Sequence, residues 1–255
     1  MRKWEDALKD HMNKVLEAGF PKEKLLGIFL YGSQNYKIDT ENSDIDTKAI
    51  IVPSLSGLCF EKPVSKELHL DNGEHCEVKD IRCIVDMFKK QNINFLEILY
   101  TDYYWVNPKY AQYWKLFTDN AEAIVHYDED KAVKSIAGQA LHTLKQITEN
   151  DLIKGKKYAN ALRMKYFFEH YIMKRLPYKE CIELKNDQRD IILAYKTGKI
   201  VPSAKEIEDL IELFSFYMTY ENSLKRNPKT EEMLKQFSLI LITNNNPTYQ
   251  FYEED

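Results

Sequence analysis

The stretch Phe29–Ile50, FLYGSQNYKIDTENSDIDTKAI, runs an apolar segment into Gly32-Ser33, crosses a turn-rich loop, and sets Asp44 and Asp46 at the entrance to a second apolar segment. Buried strands rarely carry two carboxylates on one face, because each needs a partner or a metal to offset its desolvation. Side chains alternate along a strand, so Asp44 and Asp46 are expected on one face, with Ile45 turned into the core. Carboxylates so placed can share hard cations such as Mg²⁺, which take oxygen ligands and keep waters for a substrate's phosphates. Two such ions can clamp the attacking and leaving oxygens of an in-line phosphoryl displacement. A third carboxylate normally completes the set. Glu77 in EHCEVKD is the first choice, on a neighbouring strand where Cys76 and Val78 would face the core, and Asp80 is the second. Asp80 opens a helical pattern, so capping explains it more economically.

Gly32-Ser33 supplies the other half of such a site. A glycine ending a strand lets the backbone approach a ligand closely, and amides of the following turn can bond phosphate oxygens, with the Ser33 hydroxyl as a further donor.

Outward from this stretch, LLGIFLYG and TKAIIVPS read as buried strands closed by Gly32 and Pro53. KELHLDNGEHCEVKD is a hairpin around Asp71-Asn72-Gly73, and a helix is expected over residues 2–18. DIRCIVDMFKKQ begins a further helix on an apolar face of Ile81, Ile84, Val85 and Phe88, and NFLEILY begins another. Beyond about residue 115 only helical spacing remains, over 121–149, 156–175, 178–197, 203–225 and 229–240. The expected class is α+β: a small mixed sheet with flanking helices over 1–115, a helical bundle over 116–242, and a polar tail at 243–255.

The chain has 255 residues and a formal net charge of −4, with 30% charged and 44% hydrophobic residues. Those proportions are those of an ordinary globular protein. No global basic footprint points to nucleic acid, so such a partner would need a local patch. The charged start and the lack of a long apolar run speak against a secretory leader or a membrane span, and a cytoplasmic location is expected. Cys59, Cys76, Cys83 and Cys181 lack paired C-x-x-C spacing and read as free thiols.

Gly32, Ser33 and Tyr36, then Ser43, Asp44 and Asp46, then Asn92, Leu96 and Glu97 together resemble the DNA polymerase β-type nucleotidyltransferase superfamily. The likeness is strongest to a branch of predicted nucleotidyltransferases of bacteria and phages, some found beside RNA-repair ligases. It covers about the first 105 residues and departs at Ile93, where that branch commonly has proline. The resemblance implies Mg²⁺-dependent transfer of a nucleoside monophosphate from an NTP such as ATP to a hydroxyl, on an RNA end, a small molecule or a protein, with pyrophosphate leaving. It implies that Asp44, Asp46 and Glu77 hold two Mg²⁺ ions, that Gly32, Ser33 and Tyr36 meet the nucleotide, and that cations of the helical half hold the triphosphate.

For those cations the basic segment GKKYANALRMKYFFEHYIMKR offers Lys157 and Arg163, although such runs are usually solvated helix faces. Two other functions compete. An inactive nucleotide-binding regulator would keep the fold, but its expected mark is a lost carboxylate. A HEPN-like ribonuclease of a toxin–antitoxin pair would use Arg163 and His170, about two helical turns apart, a weakly specific spacing. The aromatic run TDYYWVNPKYAQYW reads as a packed joint between the two halves rather than as a base-stacking surface.

Overall fold

The computed structural model describes residues 3–41, 43–148, 151–219 and 226–245, with side chains described as far as residue 243 in the last segment. Its sheet comprises β1 (Leu25–Tyr31), β2 (Asp46–Ile51), β3 (Ser65–His69), β4 (His75–Asp80) and β5 (Tyr104–Val106). The strand order is β3-β4-β2-β1-β5. Only β2 and β4 run parallel, and the other pairs are antiparallel. The helices are α1 (Trp4–Glu17), α2 (Leu55–Phe60), α3 (Ile81–Lys89), α4 (Ile93–Leu96), α5 (Ala111–Asp119), α6 (Ala121–Val125), α7 (Glu129–Lys145), α8 (Lys154–Phe168), α9 (Tyr178–Ile182), α10 (Asn186–Lys196), α11 (Ala204–Met218) and α12 (Pro228–Asn245). The class is α+β, with a helical region after the sheet.

Residue alternation sorts the two faces of the sheet. Ala49 and Ile51 of β2, with Cys76 and Val78 of β4, pack against Val15 of α1. The opposite face carries Asp46, Lys48 and Ile50 of β2 and His75, Glu77 and Lys79 of β4. Ile50 belongs to a single buried cluster that runs from Leu26 in β1 to Leu241 in α12. The last helix packs back on α3, α5 and α6, while α7, α8, α10 and α11 pack on one another.

The hairpin forms as read, with His69 opposite His75 and Glu67 opposite Glu77. Asp80 caps α3: its carboxylate accepts from the Arg82 amide at 2.8 Å and from the Arg82 guanidinium at 2.6 Å. Several expectations are corrected. Strand β2 begins at Asp46, so Asp44 lies in the loop before it and shares no strand face with it. Tyr104–Val106 is an edge strand on β1 rather than only a joint; three residues are too few for periodicity to announce. The span 121–149 breaks into α6 and α7 because Asp128 caps a new helix, accepting from the Lys131 amide at 3.1 Å. The span 178–197 likewise divides into α9 and α10, and 156–175 ends in a π-helical turn at Glu169–Met173. Residues 220–225, read as helical, and 246–255 of the polar tail lie outside the described residues. The four cysteines are free.

Candidate active site

The Gly-Ser turn is shaped from behind. Gly32 has φ +96°, a left-handed conformation that costs an L-residue with a Cβ roughly 1–2 kcal/mol. Its amide donates to Glu97 Oε1 at 3.3 Å, and Asn35 Nδ2 donates to Glu97 Oε2 at 3.4 Å. Asn35 also accepts from the Thr101 hydroxyl at 2.8 Å. Glu97 is 1% exposed, and burial pushes its pKa up against the opposing pull of Arg163, Tyr36 and Lys48. Its place in the chain fits a carboxylate that shapes the turn instead of facing solvent.

The loop after Ser33 is tied to the helical half. Lys196 Nζ, at the end of α10, donates to the Ile38 carbonyl at 2.7 Å and to Ser43 Oγ at 3.2 Å. Gln34 Nε2 donates to the Asp44 carbonyl at 2.8 Å, and Ser43 Oγ accepts from the Thr40 amide at 2.8 Å. Ile45, just before β2, is buried beside Ala7 and Leu30.

These ties bring Asp44 and Asp46 into one cavity of about 580 Å³, whose walls include Gly32, Ser33, Lys156 and Lys196. Two acidic and two basic residues thus line one cavity together with the Gly-Ser turn. Burial pushes the Asp46 pKa up, partly offset by the His75 amide, which donates to Asp46 Oδ1 at 3.1 Å. Burial and the neighbouring Lys156 push Lys196 down, opposed by Asp39 and Asp44.

A second cavity of about 290 Å³ shares Gly32, Ser33, Lys156 and Lys196 with the first and adds Tyr36 and Arg163. Arg163 is 5% exposed. Its guanidinium lies 3.8 Å from the Tyr36 ring centre and donates to Asn160 Oδ1 at 3.0 Å, while its buried Nη1 has no hydrogen-bond partner among the described residues. Arg163 thus adds a buried positive charge to the wall of the smaller cavity, and a buried cation is a natural neighbour for an anion.

The expected residues divide accordingly. Gly32, Ser33, Asp44 and Asp46 share the larger cavity, with Tyr36 and Arg163 next door. Lys157 lines the smaller cavity, but its ammonium is taken by Asp151 at 2.6 Å and the Gln146 carbonyl at 3.0 Å. Lys156, one place earlier on α8, lines both cavities, including the one that holds the aspartates. Lys156, Asn160 and Arg163 follow the i, i+4, i+7 rule, a signal that was present in the sequence. Lys196 carried none.

Glu77 lies on the same sheet face as Asp46 but is not among the residues lining the cavity. It receives Lys48 at 2.7 Å and Lys79 at 2.8 Å. Burial would raise its pKa, but these two lysines hold it below the usual range. Burial pushes Lys48 down. The Tyr31 hydroxyl, pushed up by burial and then by Asp46 and Glu77, sits in the field of both carboxylates. Asp80, the alternative third carboxylate, is committed to Arg82.

The two residues of the ribonuclease reading have separate partners: Arg163 lies over the Tyr36 ring, and His170, in the π-helical turn, has Nε2 3.5 Å from Gln188 Nε2. His170 is buried, and burial pushes its pKa down.

Gly155 sets how closely α10 approaches. A Cβ there would overlap the Tyr195 carbonyl oxygen, one residue from Lys196. Gly155→Ala is therefore expected to part α8 from α10 and lower stability by about 1–3 kcal/mol. Thermal unfolding checks this; an unchanged melting temperature would show that the two helices can accommodate the added methyl.

Among the described residues no helix is long and apolar enough to cross a membrane. No known protein-family model matches this chain, and no curated protein does. Among solved structures it is similar to a nucleotidyltransferase-like protein from Exiguobacterium sibiricum 255-15, over 94% of this chain and 74% of that one, at 11% identity and a TM-score of 0.29. A TM-score of 0.29 is too low to carry residue roles from that protein to this chain.

Proposed function

We propose that the chain is a divalent-cation-dependent nucleotidyltransferase, moving a nucleoside monophosphate from an NTP to a hydroxyl acceptor with release of pyrophosphate. The observation that supports this most is the cavity lined together by Asp44, Asp46, Lys156, Lys196 and the Gly32-Ser33 turn. The carboxylates suit a cation, and the lysines suit the phosphates that the cation would accompany.

The donor set fits Mg²⁺. Asp46 is a desolvated carboxylate beside a second carboxylate, and such oxygens are what a hard cation takes. Asp44 and Asp46 would hold it, with Glu77 as third ligand in exchange for a lysine partner. When bound, the metal would neutralise phosphate charge and lower the pKa of the acceptor hydroxyl. The protein's own contribution is positioning and charge. Lys156 and Arg163 would bind phosphate oxygens, joined by Lys196 through the donor left beside its bonds to Ile38 and Ser43, while the Gly32-Ser33 backbone and the Ser33 hydroxyl set the register of the triphosphate. Glu97 keeps that turn in its left-handed shape.

The test uses α-³²P-labelled ATP, GTP, CTP and UTP with Mg²⁺, purified protein, and lysate or total RNA as the acceptor source. Transfer by wild type and not by Asp44→Ala/Asp46→Ala supports the reading and identifies the base and acceptor class. Nucleotide binding without transfer would instead indicate a regulatory nucleotide-binding protein, and absence of both would overturn the site.

A further inference from the structure

We propose that the β3–β4 hairpin carries a separate site for a borderline transition-metal cation, zinc above all, held by Glu67, His69 and His75. A ligand atom from each of these residues lies within 4.8 Å of the others. The strand register produces this convergence. His69 and His75 are directly opposed, with ring centres 4.6 Å apart, and Glu67 lies two residues before His69 on the same face. Glu67 Oε1 already reaches His75 Nδ1 at 3.1 Å.

The chemistry selects the cation. Two imidazoles and one carboxylate are the donor set that zinc takes when it keeps a position open for water or another ligand. Magnesium, which prefers all-oxygen surroundings, is poorly served by imidazole. The arrangement is also hard to explain as a stability device. Glu67 stands directly across the ladder from Glu77, and like charges so opposed are unfavourable. Lys48 and Lys79 are engaged with Glu77, so Glu67 is left with the imidazole. A cation would satisfy Glu67 and both histidines together. Glu67 and His69 are exposed and His75 half-exposed, so the ion can enter from solvent without any rearrangement of the core.

The site is distinct from the Asp44/Asp46 pair, although the two are joined through His75, whose backbone amide donates to Asp46 at 3.1 Å. A metal on the His75 imidazole would therefore steady the strand end that presents Asp46. The zinc site does not depend on the transferase reading, because it is tested by binding alone.

The experiment takes the full chain, stripped with chelator and dialysed into excess Mg²⁺. It is titrated with Zn²⁺ against a chromogenic competitor, and in parallel with Co²⁺, whose visible ligand-field bands report imidazole in a low-coordinate site. Wild type is expected to bind one equivalent per chain. His69→Gln and Glu67→Gln, at exposed positions, are expected to weaken binding at least tenfold and to change the cobalt bands. Asp44→Asn/Asp46→Asn is expected to keep wild-type affinity. The proposal is overturned if wild type binds no zinc, if His69→Gln binds as wild type does, or if the aspartate variant loses the metal while His69→Gln retains it.

Discussion

Asp46→Asn is expected to lower nucleotidyl transfer by about 10³-fold, equivalent to about 4 kcal/mol at the transition state, while leaving the protein at least as stable as wild type near neutral pH. The first effect follows from removing half of the cation-holding pair. The second follows from burial. Desolvation raises the Asp46 pKa in the folded chain, so folding favours its protonated form. Its contribution to stability is full below the unfolded carboxylate pKa and is lost as pH rises through the raised folded value. Near neutral pH the charged carboxylate is therefore a cost that the neutral amide removes, and the stability gain of Asp46→Asn should shrink on acidification to pH ~4. A destabilised group kept at the site is the expected signature of function over stability. Glu77→Gln should differ. It also lowers transfer if Glu77 is the third ligand, but it leaves Lys48, 2% exposed, without its 2.7 Å partner and so lowers stability as well. Denaturant unfolding at two pH values, together with the labelled-NTP assay, separates the two carboxylates. A stability loss for Asp46→Asn at neutral pH would contradict the burial argument, and full transfer activity would remove Asp46 from the site.

Arg163→Met carries the second large effect: about 3 kcal/mol less stability and roughly 10²-fold lower kcat/KM. Three contacts depend on the guanidinium. It lies over the Tyr36 ring at 3.8 Å, it donates to Asn160, and its charge offsets that of buried Glu97. Methionine keeps the volume and loses all three, leaving a carboxylate at 1% exposure without its nearby compensating cation. Adding Glu97→Gln should recover part of the stability, because the uncompensated charge goes with it, although one of the bonds from Gly32 and Asn35 is lost. Transfer should not recover, since the guanidinium charge remains absent from the cavity wall. Unfolding free energies of the two single variants and the double variant form the cycle that measures this coupling. Strict additivity would show that Glu97 and Arg163 do not interact, and recovery of activity would show that Arg163 acts only as a support.

What could be read along the chain was what neighbours in sequence decide. Continuous apolar runs marked β1 and β2, alternating segments around Asp71-Asn72-Gly73 marked the hairpin, and Asp80 marked the start of α3 through local capping. Gly32-Ser33 and the paired aspartates stood close enough in sequence for their shared purpose to show, and Ile45 between them was placed correctly in the core. The strand's first residue was not legible, because Asp44 is drawn into position by Gln34 and by the loop that Lys196 anchors, rather than by strand alternation. Nor was the choice of cation. Lys156 and Lys157 are equally basic in the sequence, and only the docking of α8 puts Lys156 in the wall of the aspartate cavity while Lys157 pairs with Asp151. Lys196 comes from a helix more than 150 residues beyond Asp44, delivered because Gly155 lets α10 lie against α8. Glu97 was noticed as part of a motif, but its burial against the Gly32 amide depends on the fold around it. Local backbone chemistry determines where strands, caps and turns begin; which charges meet across a cavity is decided only when distant helices pack, because Coulomb and hydrogen-bond energies depend on separation in space and not along the chain.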